Sequence, residues 1–324
     1  MSDPVSIEAA PPPGPLSPEV RQRVAELRKD RRSLRRLFDL LSTYLLILGA
    51  LFVAWRVAEW WAFAGAFVVV GMMQYRLVMS SHEAVHKNLL DPVWLNEVFG
   101  NLNAAMVGIS FLNYRKTHLE HHKSPQYIRD DTDAYIYKPL LEARPGLPRL
   151  ALLVFGVWLD IWVKLKRKAH GVGPSNTEAG SISPPSQLWL IASVQLGLLA
   201  AFTLLWDWKL YFLLWFAPIF CIALAMDRAR TFVEHGYHYL FSQNSQKVGE
   251  ALQATVDIRT NPLEAYFLAP FGFDYHQAHH SQLTVPYYNL RHLSDLLRTN
   301  DPRYNSLVEG SYVGILCRMI WAAK

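Results

Sequence analysis

Four long runs without a charged side chain limit how this chain can fold. Residues 40–55 and 60–75 are separated only by a turn from Arg56 to Glu59. Residues 187–206 and 210–226 are separated only by Asp207, Trp208 and Lys209. With its flanks each run reaches the roughly 20 residues that a membrane-spanning helix needs. Lipid offers no partner to backbone N–H and C=O groups, so these runs cross as helices and not as irregular chain. Trp55, Trp60 and Trp61 flank the first turn, and Trp206 and Trp208 the second, as in an interfacial aromatic belt. The expectation is an all-α integral membrane protein with four transmembrane helices in two hairpins.

Charge orients the hairpins. Residues 20–36 carry eight Arg or Lys and two acidic residues just before the first run, and basic segments stay on the cytoplasmic side. The two tight turns have no net charge. Both termini and every histidine are therefore expected in the cytoplasm, with the clustered ones forming a histidine-rich cap. Residues 2–18, rich in proline and small side chains, read as disordered and not as a signal peptide. The basic run itself reads as a solvated amphipathic helix, and no nucleic-acid partner is expected. The two cysteines, Cys221 and Cys317, define neither a disulfide framework nor a thiolate metal site.

Between the hairpins, residues 95–112 are apolar but interrupted by Asn96, Glu97, Asn101 and Asn103, as in an interfacial or re-entrant segment. An acidic patch follows at Asp130, Asp131 and Asp133. Residues 150–163, containing Asp160, read as a short helix lying on the membrane. Lys164, Lys166, Arg167 and Lys168 suit anionic headgroups, and residues 171–186 read as a loop. No span is expected beyond Phe232, and residues 311–324 read as a terminal amphipathic helix.

Eight of the twelve histidines fall in three clusters: His82 and His86; His118, His121 and His122; and His276, His279 and His280. Residues i, i+3 and i+4 share a helix face, so each cluster is expected to aim its imidazoles at one point. His170 and His292 read as surface residues. Neutral imidazole is the commonest protein metal ligand. Eight or nine exceed the four that one zinc takes, and a dinuclear iron site fits best. No histidine lies inside the uncharged runs. A transporter would place its ligands there, so an enzyme acting on lipid at the membrane edge is favoured over a membrane metal-binding or transport protein. The second run has no helix breaker before His82 and carries the first cluster out of the bilayer. The fourth run, extended from Met226, lifts His235 about 13 Å along the helix axis. His235 is thus the expected ninth ligand, with Gly236 turning the chain so that His238 lies past the helix end. Glu83, Glu120, Glu234 and Asp274 are placed to accept the second N–H of ligating imidazoles.

The three clusters, in this order and approximate spacing, resemble the histidine boxes of the membrane fatty acid desaturase and hydroxylase superfamily. The triplet Glu234-His235-Gly236 resembles the isolated histidine site between its second and third boxes. The segment Val285-Pro286-Tyr287-Tyr288-Asn289-Leu290 resembles the one that follows the third box. The resemblance spans about residues 40–297. It implies a di-iron centre that uses O₂ to take hydrogen from an unactivated C–H bond. The first box has three intervening residues, as in many hydroxylases and some acyl-lipid desaturases, and Asp274 stands where asparagine often precedes the third box. His276, in place of glutamine, disfavours a front-end desaturase. No haem motif points to a fused cytochrome b5 domain. The expected reaction is desaturation of a fatty acyl chain of a lipid, with hydroxylation or ketolation of a lipid or carotenoid the alternative.

The expected organisation is a basic N-terminus (residues 1–36), a desaturase-like di-iron domain (37–310) and the terminal helix (311–324). No flavin, haem or nicotinamide motif is present, so an external donor of ferredoxin or cytochrome b5 type must supply electrons to the basic face.

Overall fold

Each uncharged run becomes a helix that starts before it or continues past it. The computed structural model describes residues 16–123, 131–169, 183–241, 255–301, 304 and 307–323. In chain order its helices are α1 (Pro18–Lys29), α2 (Ser33–Val57), α3 (Trp60–Val85), α4 (Val93–Met106), α5 (Phe111–Lys123), α6 (Ala134–Glu142), α7 (Leu147–Ala169), α8 (Pro185–Leu205), α9 (Trp208–Phe241), α10 (Pro262–Phe267), α11 (His276–Ser281), α12 (Leu290–Asn300) and α13 (Tyr312–Trp321). Four of them, α2, α3, α8 and α9, are long and apolar enough to cross a membrane. Residues 2–15, Asp130, His170, the loop at 171–182 and the side chains of Lys164, Arg167 and Lys168 lie outside the described residues.

The helix α3 is the axis of the molecule. From Met73 to Val85 it is buried on every side, because α2, α4 and α9 all pack on it. Gly71 allows the approach of α9: a Cβ there would stand 2.5 Å from that of Ile222. Polar residues inside α3 have partners, as burial requires. Gln74 donates to the Trp215 carbonyl (2.8 Å), within one of two π-helical stretches, Phe212–Phe216 and Ile219–Ala223, that flank Pro218 of α9. Proline cannot donate to the helix ladder, and widened turns are a usual accommodation.

Two of the polar interruptions of residues 95–112, Asn96 and Asn103, fix the end of α3. The Asn96 amide donates to the Ala84 carbonyl (2.9 Å) and its oxygen accepts from the Leu89 N–H (3.1 Å). Asn103 donates to the Ser80 hydroxyl (2.7 Å). At 14 residues, α4 is too short to span. Asp160 of α7 accepts from the Arg228 guanidinium of α9.

Two expectations need correction. Gly236 does not turn the chain. It sits inside α9, where a Cβ would meet Phe232 and Met319 at 3.1 and 3.2 Å, so it serves close packing against α13 and leaves His238 within the helix. The all-α class holds for the described residues, beside one short parallel pairing of β1 (Asp257–Arg259) with β2 (Leu307–Glu309). Finally, α1 is not a solvated segment set apart at residue 36. Val20 and Val24 are buried and the helix packs on α12. The Leu27 carbonyl accepts from Asn289 (2.9 Å) and the Asp30 carbonyl from the Tyr288 hydroxyl (2.8 Å). Tyr287 donates to Asp39 of α2 (2.7 Å). The Tyr287–Asn289 segment thus ties the N-terminal helices to the chain that follows the third histidine cluster.

Buried Asp257 in β1 fixes α11 in a similar way. It accepts from the backbone N–H groups of Gln277 (2.8 Å) and Ala278 (3.1 Å), and from the hydroxyls of Ser294 (2.6 Å) and Tyr304 (2.7 Å). The first two bonds cap a six-residue helix that is too short to be stable alone. Asp257→Ala leaves four buried donors without an acceptor and should cost about 3 kcal/mol or more. Ser294→Ala removes one bond and should cost on the order of 1 kcal/mol. Thermal unfolding of the purified variants checks the order, and equal stabilities would contradict this role of Asp257.

Candidate metal centre

Helix geometry sorts the histidines into two groups. At 100° per residue, the i and i+4 side chains of a His-x-x-His-His cluster lie about 40° apart, whereas i+3 is offset from i by about 60° in the opposite sense. His118 and His122 accordingly join His82, His86 and His279, while His121 joins His235, His276 and His280. Within each group the nearest ligand nitrogens all lie within 4.8 Å of one another. The expectation that each cluster aims at a single point is therefore corrected: His118 and His122 face one group and His121 the other, and the third cluster divides in the same way. The first group takes five imidazoles and the second four, and the second and third clusters contribute to both.

The groups abut. The rings of His122 and His280, one from each, have centroids 4.4 Å apart. Six of the nine histidines are almost wholly buried, while His86, His122 and His280 are partly exposed. The long helices place them. His82 is in the last turn of α3, His86 caps it, and His235 sits on the extension of α9.

The donor set fits metal ions. In the first group Nε2 atoms face one another at 3.0 Å (His86 and His118), 2.8 Å (His118 and His122) and 3.3 Å (His122 and His279). In the second the spacings are 3.1 Å (His235 and His276), 3.0 Å (His276 and His280) and 3.3 Å (His121 and His280). Two donors at right angles, each about 2.1 Å from a shared ion, stand about 3.0 Å apart. Buried His82 keeps its Nε2 without a hydrogen-bond partner, a cost that a cation among these lone pairs removes. Burial first, and neighbouring imidazoles after it, hold His86 at about 4 and push His118, His276, His279 and His280 well below the usual histidine range. Neutral imidazole is the form that binds a metal.

His121 differs. Burial opposes its charging, but the charge of Asp133 and the hydrogen bond it donates to Asp131 together raise it. Its Nδ1 lies 2.5 Å from Asp131 Oδ1 and 3.8 Å from Asp133. Asp131 and Asp133 of the acidic patch thus lie against the second cluster, which spacing alone did not reveal.

The four expected carboxylate supports have different fates. Glu83 Oε1 lies 3.0 Å from His82 Nδ1. Glu234 is fully buried, accepts from Arg230 at 2.6 Å, and lies 3.6 Å from His276 Nε2, the nitrogen facing the group, instead of Nδ1. Glu120 is exposed and pairs with Lys123. The Asp274 backbone carbonyl joins the strand region by accepting from Ile258, and burial pushes its carboxyl up to about 8. His238 Nε2 faces the Thr255 carbonyl (3.2 Å), away from both groups. His292 is exposed. Phe273 also escaped the sequence reading: it stacks on His276 (5.3 Å), faces His82 (4.5 Å) and lies beneath the Arg230 guanidinium.

Known proteins share this arrangement of sequence. The chain is 24% identical over 267 residues, 78% of its length and 72% of the relative's, to an sn-1 acyl-lipid omega-3 desaturase (ferredoxin) of Nostoc sp. (strain 36). The fatty acid desaturase family model matches residues 58–310. That stretch holds all nine grouped histidines and three of the four long apolar helices, so this membrane oxidoreductase belongs to the fatty acid desaturase family.

Proposed function

We propose that the protein is an O₂-dependent non-haem di-iron desaturase that introduces a double bond into a fatty acyl chain of a membrane lipid. The observation that carries this reading is the pairing of two adjacent, thiolate-free imidazole groups at the ends of helices long enough to span a bilayer. His82, His86, His118, His122 and His279 would hold one iron, and His121, His235, His276 and His280 the other. Bound iron supplies the O₂-dependent hydrogen abstraction from an unactivated C–H bond that protein side chains cannot perform.

The chain's own residues do the rest. Two membrane hairpins, α2 with α3 and α8 with α9, keep the acyl chain beside the site while their extensions hold the imidazoles at the cytoplasmic edge. The basic run at residues 21–36 and the charge-balanced turns support this orientation, with both termini on the cytoplasmic side. Glu83 fixes the tautomer of His82, leaving Nε2 for the metal. Phe273 and the buried end of α3 exclude water from the reacting region. An acyl-lipid substrate is supported by the similarity to the Nostoc acyl-lipid desaturase. That relative's use of ferredoxin supports a ferredoxin-type donor; a cytochrome b5 type would suit the exposed arginines of α1 equally well.

The wild-type chain should bind two irons after anaerobic loading, and one zinc with no iron dependence of activity would contradict the proposal. His235→Ala should lose iron and turnover, whereas His238→Ala should keep both. Full iron and activity in His235→Ala would remove His235 from the ligand set. Lipid profiling of cells with and without the protein separates the reaction types, since a new double bond lowers acyl mass by two hydrogens and a hydroxyl adds one oxygen. Turnover with a soluble donor should fall steeply with ionic strength if charge steers the encounter.

A further inference from the structure

The segment that follows the second histidine cluster re-enters the site as a single unit. Asp131 is buried, and both of its carboxylate oxygens are used. Oδ1 faces His121 Nδ1 at 2.5 Å and accepts from the Asp133 N–H at 2.8 Å, while Oδ2 accepts from the Tyr137 hydroxyl at 2.8 Å. Tyr137, fully buried in α6, stacks its ring on His235 with centroids 5.4 Å apart and planes inclined by 17°. Two side chains from one short helix region therefore touch two members of the four-imidazole group, which come from different elements, α5 and α9. The region is itself anchored. The Thr132 hydroxyl donates to the Thr117 carbonyl of α5 (2.9 Å), the Asp131 carbonyl accepts from the Ala134 N–H (3.2 Å), and α6 packs along α9.

We propose that Asp131 and Tyr137 are positioning residues for the four-imidazole group and not for the five-imidazole group. Asp131 accepts a hydrogen bond from the Nδ1–H of His121, which leaves the Nε2 lone pair facing His280. Tyr137 holds the carboxylate in that pose and fixes the plane of the His235 ring. Partners of this kind orient a ligating imidazole and raise its basicity, and their loss typically lowers metal affinity about 10- to 100-fold. In the five-imidazole group the corresponding support is Glu83 on His82, an independent contact on α3. The two sites thus have separate supports, and one should be separable from the other.

The inference rests on the reading that two irons bind. The experiment titrates iron into wild type, Asp131→Ala and Tyr137→Phe under anaerobic conditions and records iron per chain and Mössbauer spectra. At an iron level that fills both wild-type sites, Asp131→Ala should retain about one iron per chain, with one wild-type component preserved and the other lost. Tyr137→Phe keeps the ring stack and loses only the hydroxyl, so it should weaken the same component by a smaller factor. Two irons with unchanged spectra in Asp131→Ala would overturn the inference. So would parallel loss of both components, which would mean that Asp131 supports the fold and not one site. If wild type itself fails to bind two irons, the di-iron reading fails first and takes this inference with it.

Discussion

Nine imidazoles brought together in a buried space create a problem that the rest of the structure has to hold in place. Neutral imidazole offers one donor and one acceptor. His118 Nε2 nevertheless faces two other Nε2 atoms, and His82 Nε2 faces no hydrogen-bond partner. Hydrogen bonds among the rings cannot satisfy such a convergence of lone pairs, whereas cations can. Keeping the rings together before metal arrives needs anchors from outside, and the structure supplies them. Asn96 and Asn103 grip the end of α3, Asp257 caps α11, and the Tyr287–Asn289 segment ties the chain after α11 to the N-terminal helices.

Helix rotation then decides which imidazole goes where. The three-then-one spacing of the second and third clusters supplies two facing histidines and one diverging neighbour, so each short helix serves both groups. A His-x-x-x-His spacing alone, as in His82 and His86, serves only one group per helix. The adjacent pairs His121-His122 and His279-His280 are what couple the two groups, and they bring His122 and His280 ring to ring.

Much of this could be read from the sequence, and the failures have physical causes. Uncharged runs and turn tryptophans located the four long helices, because length and apolarity are local properties. His235 could be placed because nothing between Met226 and Glu234 interrupts a helix. Gly236 was misread because a glycine in a helical pattern signals either a stop or a close contact. Only the position of Met319, 83 residues later, decides which. Asp131 and Asp257 were missed for a related reason. Each is one of many acidic residues, and its importance lies in partners brought near by the fold: His121 and Tyr137 for one, the N-terminus of α11 for the other. Glu120 shows the reverse error, since adjacency to a histidine box is not orientation toward it.

X-ray absorption at the iron edge tests the central claim most directly, because it reports the atoms bound to iron whatever the reaction. For the anaerobically loaded protein, imidazole-only ligation predicts a first shell of nitrogen or oxygen scatterers at about 2.0–2.2 Å, with the outer-shell multiple scattering of four to five histidine rings per iron and no sulfur. A sulfur shell, or a carboxylate-dominated shell with one or two imidazoles per iron, would contradict it.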